Sequence, residues 1–163
     1  MKNKINKHIL HILCLQLLIC SCGEDSTKIS GDADRDQEVR EAMQRIQLAA
    51  EHYAADHDTD KYPVSINDDF KTYFPGGQEG AVPAPMGPVN VFSGLNEYPT
   101  IGEIKDLNSA RYGPRFRIKR GSILYCPLNN GKGYAILGGA HDDMAMMDLL
   151  NPGQVLVLSN YED

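Results

Sequence analysis

The sequence lacks the short motifs that mark common catalytic and nucleotide-binding sites. Ser122 follows Gly121, but no Gly-x-Ser-x-Gly nucleophile elbow occurs. A phosphate-binding loop, a His-Glu-x-x-His zinc motif and a dinucleotide-binding glycine pattern are also absent. Cys126 lies in an apolar segment, where a buried, inert thiol is common. We therefore predict that the protein is not an enzyme.

The apolar segment near the N-terminus is too short to cross a bilayer. It covers residues 9–20 and is broken by His11 and Gln16, whereas a membrane-spanning helix needs about 20 apolar residues. Lysines precede this segment, and no acidic residue occurs before Glu24. A basic start followed by a short apolar segment is typical of a secretory signal.

The end of the signal carries more specific information. Ile19-Cys20-Ser21-Cys22 resembles the lipobox of bacterial lipoproteins. The resemblance implies a signal peptide over 1–21 and lipidation of Cys22. It also implies that the protein is attached to a membrane through this lipid anchor. It places the protein in the cell envelope, as an outer-membrane lipoprotein or in the periplasm. A cleaved signal without lipid and an uncleaved anchor remain alternatives.

Removal of the signal changes both the charge and the cysteine count. The signal holds three of the 16 basic residues and no acidic one, so 13 basic residues face 22 acidic ones and the net charge becomes −9. Such a surface disfavours nucleic acid and suits a divalent cation better than a phosphate backbone. Cys14 and Cys20 leave with the signal and Cys22 is acylated, so no intramolecular disulfide is expected for Cys126.

The remainder reads as a flexible tether over 22–33 and one globular domain over 34–163. Asp34 is predicted to cap a long amphipathic helix that ends near residue 57. Its apolar stripe recurs at helical spacing, whereas polar residues such as Glu51 occupy the other faces. The stripe consists of Val39, Met43, Ile46, Ala50 and Tyr53.

Short periodic segments follow the long helix. Residues 68–74 can form two helical turns, and the Gly- and Pro-rich stretch 76–99 reads as an ordered loop. Alternation and turn residues then predict β-strands, and Asn130-Gly131 suits the reversal between two of them. The predicted fold class is α+β, with the long N-terminal helix packed on a small C-terminal antiparallel sheet. The predicted strands are 115–119, 122–126, 133–138 and 154–159.

Two stretches of sequence carry a resemblance to a known family. They are Leu48-Ala49-Ala50-Glu51-His52-Tyr53-Ala54-Ala55-Asp56-His57 with Lys61-Tyr62-Pro63, and Gly121-Ser122-Ile123-Leu124-Tyr125 with Gly133-Tyr134-Ala135-Ile136. Together with the order of a long helix, a variable Gly- and Pro-rich loop and a terminal hairpin, they resemble the globular part of type IV pilins and of type II secretion pseudopilins, over residues 35–145. The resemblance implies a pilin-like fold, a structural or interaction role, and a link to other envelope or secretion-system proteins. Because the polar tether separates the apolar segment from the helix, we expect a lipid-anchored relative of the pilin domain.

The same resemblance implies a calcium site in the loop after residue 138, because major pseudopilins bind calcium in their C-terminal loop. Asp142, Asp143 and Asp148 are the candidate ligands here, and calcium is bound by six to eight oxygen atoms. Their spacing does not match an EF-hand. Ordinary solvated turn carboxylates are the alternative interpretation.

Three further alternatives stay open at this stage. His52 and Asp56, with His57 adjacent, have a spacing that can hold a transition metal, but histidine also suits a helix C-terminus. The aromatic residues between 53 and 74 form either a binding face or core packing, and we favour the core. A periplasmic ligand-binding lipoprotein, using the loop at 76–99, is the alternative function.

Overall fold

The computed structural model describes residues 31–57, 61–74 and 86–161. The predicted signal at 1–21 and the lipidation site at Cys22 lie outside the described residues, as does most of the predicted tether. Within the described ranges, no helix has both the length and the apolar composition needed to cross a membrane.

The first helix, α1, is the longest element and spans Asp32–Asp56. Its 25 residues give a length of about 37 Å. The predicted cap at Asp34 was wrong, because Gly31 is the N-cap and no side chain caps this end. Asp34 instead lies in the first turn beside Asp32, where a carboxylate interacts favourably with the helix dipole. α1 accordingly begins within the stretch 22–33 that was predicted as a tether.

The apolar stripe of α1 forms the centre of the core. Val39, Met43, Ile46 and Ala50 are buried, as the helical spacing predicts, and Tyr53 packs at the margin of the same cluster. The remaining elements are short. They are α2 at Asp68–Lys71, β1 at Val89–Asn90, β2 at Leu95–Asn96, β3 at Thr100–Ile101, α3 at Leu107–Tyr112, β4 at Ile123–Leu128, β5 at Gly133–Gly138 and β6 at Leu158–Ser159.

A regular hairpin, β4–β5, forms the centre of the larger sheet. The two strands pair antiparallel along their full lengths, from Ile123 opposite Gly138 to Leu128 opposite Gly133. A 3-10 turn, Asn129–Gly131, connects them. Asn130 and Gly131 have φ values of 57° and 83°, so the predicted left-handed reversal is confirmed.

The larger sheet has the order β3-β4-β5-β6 and is mixed, not purely antiparallel. β3 runs parallel to β4, with Thr100 opposite Leu124, whereas β6 pairs antiparallel with β5. The prediction of an antiparallel sheet was therefore only partly right. β1 and β2 form a separate two-stranded sheet. The α+β class, with one long helix and small sheets, is confirmed.

Two predicted strands differ from the structure. Residues 115–119 do not form a strand, and only Arg117 makes an isolated antiparallel bridge, to Met144. In this bridge, Ala145 N donates to Phe116 O and Ile118 N donates to Asp143 O. Only Leu158–Ser159 of the predicted strand 154–159 joins the sheet. Val155 instead makes an isolated bridge to Met147.

The β4–β5 hairpin is buried on both faces. On one face, Ile123, Tyr125, Tyr134 and Ile136 join the α1 stripe in a single core cluster. On the other face, alternate side chains join the residues of α3 in a second cluster. Side chains alternate between the faces of a strand, so the hairpin separates a helix layer from a layer of loops and α3. The second cluster is centred on Leu107, Ala110, Cys126, Ala135 and Leu137.

Candidate functional site

Three segments of chain converge on the N-terminal half of α1. The guanidinium of Arg35 lies 5.6 Å from the ring centre of Phe92, which follows β1. The Arg40 side chain donates to Met147 O at 3.1 Å. Between these contacts, Asp36 binds the loop after β5 through His141. This end of the molecule, where the chain from Cys22 enters, is the candidate site.

Asp36 holds the loop at His141 by two contacts. One oxygen of its carboxylate accepts from His141 N at 2.8 Å, and the other lies 2.7 Å from Nδ1 of the same residue. Hydrogen bonding to Asp36, followed by its charge, raises the pKa of His141 above its ordinary value of 6.5. The contact bridges 105 positions of sequence, and the amino-acid pattern alone gave no sign of it.

The first predicted calcium ligand, Asp142, is engaged by an arginine. Arg115 donates to both of its carboxylate oxygens, at 2.8 and 3.1 Å. This hydrogen bonding lowers the pKa of Asp142. Arg115 Nε also donates to Ala145 O at 2.8 Å, so the guanidinium contacts two positions of the loop. A cation at Asp142 would have to displace this paired charge.

The other two predicted ligands serve their local backbone. Asp143 has a left-handed backbone, with φ of 59°, and its carboxylate accepts from Arg120 N at 2.9 Å. Asp148 accepts from Leu150 N and from the Asn151 amide, both at 2.8 Å. Over the described residues, which include these three aspartates, no group of three or more His, Cys, Asp or Glu side chains could hold a metal ion. The geometry therefore gives the predicted calcium site no support.

An exposed apolar pair extends from the same end. Leu149 and Leu150, which we call the leucine pair, are 69% and 89% exposed, the highest fractions among the large hydrophobic side chains that the structure describes. Asp148 N donates to Gln154 O at 2.9 Å and closes the loop that carries the pair. Sequence reasoning missed this feature, although two leucines directly before Asn-Pro-Gly were a visible signal of an apolar turn.

At the opposite end of α1, Glu51 connects the helix to the rest of the fold. Its carboxylate accepts from the hydroxyl of Tyr134 on β5 and, at 3.0 Å, from the hydroxyl of Tyr62. Burial, followed by the bond to Glu51, raises the pKa of Tyr134. The sequence placed Glu51 on an outer face of α1. In the structure it is half-buried at the border of the core.

The residues at the C-terminal end of α1 do not assemble a metal site among the described residues. His57 stacks on Tyr53, with ring centres 4.1 Å apart, and its Nε2 lies 3.0 Å from the Asp69 carboxylate. Burial, followed by the influence of the Asp56 carboxylate, raises the pKa of Tyr73. These contacts attach α2 to the helix end. The prediction of core packing is confirmed for the aromatic residues, since Phe70 and Phe74 are buried and their neighbours pack around them.

Cys126 is a free cysteine and is buried in β4. Burial raises the pKa of its thiol to about 11, which keeps the thiol protonated and unreactive near neutral pH. This agrees with the prediction of an inert thiol.

No protein family, curated protein or solved structure matches the chain.

Proposed function

We propose that the chain is a non-catalytic lipoprotein, anchored in the membrane through Cys22, whose pilin-like domain has a structural or interaction role in the cell envelope. Its expected partners are other envelope proteins, with components of type II secretion as the first candidates. Nucleic acid is not an expected partner, because acidic residues outnumber basic ones by 22 to 16 even with the signal included.

One observation carries the pilin-like part of the proposal. The residues that suggested the family, Ile123, Tyr125, Tyr134 and Ile136, all face α1 and pack in one cluster with its apolar stripe. The likeness in sequence therefore corresponds to one physical unit, a long helix laid over a central hairpin. In the other stretch of the resemblance, Tyr62 reaches Glu51. Both stretches thus act at the same interface between helix and sheet.

The anchor is the part that an experiment reaches most directly. Cys22→Ser removes the only thiol that the lipobox resemblance offers for acylation. We expect this variant to lose metabolic labelling by a fatty acid and to leave the membrane fraction. Cys126→Ala is the matched control, since its thiol is buried in the fold, and it should keep both properties. Acyl labelling of the Cys22→Ser protein would contradict the proposal.

The proposed role in the envelope needs a separate test. In a strain that lacks the gene, we expect reduced export of type II secretion substrates, restored by the wild-type gene and not by the Cys22→Ser variant. Crosslinking in intact cells should join the domain to an envelope protein. Normal export together with saturable binding of a small periplasmic solute would contradict this role. That result would favour the ligand-binding alternative.

A further inference from the structure

We propose that the leucine pair inserts into the surface of the bilayer that holds the lipid, so that the domain docks with the N-terminal end of α1 facing the membrane. This inference rests on the proposed acylation of Cys22. It adds an orientation and a second membrane contact to the anchor.

The position of the leucine pair is the first argument. Arg40, whose side chain bonds to Met147 O, is nine residues from Gly31, or about 13 Å along the helix. Nine residues also separate Gly31 from Cys22, and a fully extended chain of that length spans at most about 30 Å. An acylated Cys22 thus keeps this end of the domain close to the headgroups.

The construction of the loop is the second argument. Asp148 accepts from the backbone of Leu150 and from the side chain of Asn151, and its own N–H binds Gln154 O. The loop is therefore fixed from within while both leucine side chains stand in solvent. A contact made by a fixed loop loses little conformational freedom on binding, so a small apolar surface is sufficient.

A bilayer is a suitable partner for this small surface because the lipid anchor raises the effective concentration of the leucine pair at the membrane. A short tether turns the second contact into an intramolecular event, with an effective concentration in the millimolar range. Two leucines are too few to hold a free protein on a membrane, but under these conditions they can orient an anchored one. The acidic balance of the chain favours neutral headgroups over anionic ones.

The absence of tryptophan from the sequence allows a direct test. Leu150→Trp places a single indole in the leucine pair of the full-length lipidated protein, which is reconstituted in phosphatidylcholine vesicles. Val64→Trp is the matched control. Val64 is an exposed apolar residue close to the turn at Gly131, which Tyr62 ties to Glu51 and thus to the far half of α1.

On vesicles, we expect the emission of the Leu150→Trp protein to shift to the blue and to be quenched by lipids brominated in the acyl chain. The Val64→Trp protein should keep the emission of an indole in water and resist that quencher. Co-sedimentation and acyl labelling, measured on the same samples, report the anchor separately. Acylated, co-sedimenting protein with an unshifted Leu150→Trp emission would overturn the docking and leave the anchor as proposed. Loss of labelling and co-sedimentation would overturn the anchor and the docking together.

Discussion

The hydroxyl of Tyr134 on β5 donates a hydrogen bond to the carboxylate of Glu51 on α1, across 83 positions of sequence. The tyrosine ring is fully buried, and the carboxylate also accepts from Tyr62. Hydrogen bonds to a charged group in such a place stabilise more than neutral ones. The pair thus fixes the position of the helix along the hairpin.

Tyr134→Phe should lower the free energy of unfolding by about 1.5–3 kcal/mol, the usual contribution of a hydrogen bond to a charged group. Tyr125→Phe is the matched control. Tyr125 is equally buried on the neighbouring strand, and its hydroxyl has no hydrogen-bond partner among the described residues, so its removal should be nearly neutral. Urea denaturation of both variants checks this. Equal losses in the two variants would contradict the assigned role of Glu51.

The stripe of α1 gives a second prediction. Ile46 is fully buried at its centre, and Ile46→Ala should cost about 2–5 kcal/mol through lost apolar contacts and a cavity. Leu48 lies on the same helix and is 57% exposed, so Leu48→Ala should change stability by less than about 0.5 kcal/mol. Thermal or urea unfolding measures both. Similar destabilisation by the two substitutions would mean that the helix packs through another face.

The parts of the fold that follow from local pattern could be predicted from the sequence. The spacing from Val39 to Ala50 identifies a buried helical stripe, and Asn130-Gly131 between two apolar segments identifies the hairpin. The alternation at 115–119 was equally regular, yet these residues bind a loop and not a strand. Periodicity indicates which side chains are buried, but it does not show which segment the backbone pairs with.

The candidate site could be predicted only in part, because its contacts join distant positions. Arg115 and Asp142 are 27 residues apart, and no spacing rule relates them. The parallel pairing of β3 with β4 likewise brings Thr100 to Leu124 through a connection that the pattern did not identify. The sequence correctly placed polar residues in the loop after β5. Their partners depend on the packed fold.

The contact between His141 and Asp36 predicts a measurable titration. Since Asp36 raises the folded-state pKa of His141, the stabilisation is fully present below the unfolded value near 6.5 and is lost as the pH rises through the raised value. Asp36→Asn should lower the pKa of His141 measured by NMR. Asp34→Asn, in the same part of α1, should leave it unchanged. A titration of His141 that is the same in all three proteins would contradict the contact.

Cys126 should resist alkylation in the folded protein. A thiol with a pKa of about 11 is almost entirely protonated at pH 8, and its side chain is buried. We expect slow labelling by iodoacetamide in native buffer and complete labelling in urea, with mass mapping of the Cys126 peptide as the readout. Rapid native labelling would show that β4 opens or that the thiol is accessible.

The last prediction concerns calcium binding by the carboxylates in the loop after β5. Because Arg115 already neutralises Asp142, and Asp143 and Asp148 accept bonds from the backbone, we expect calcium and a chelator to give the same melting temperature. Asp142→Asn should cost about 0.2–1 kcal/mol, the value of a half-exposed ion pair. Arg115→Gln should cost at least as much, because it also breaks the bond to Ala145 O. A melting temperature that rises with calcium, and no longer rises in the Asp143→Ala variant, would instead establish a calcium site in this loop.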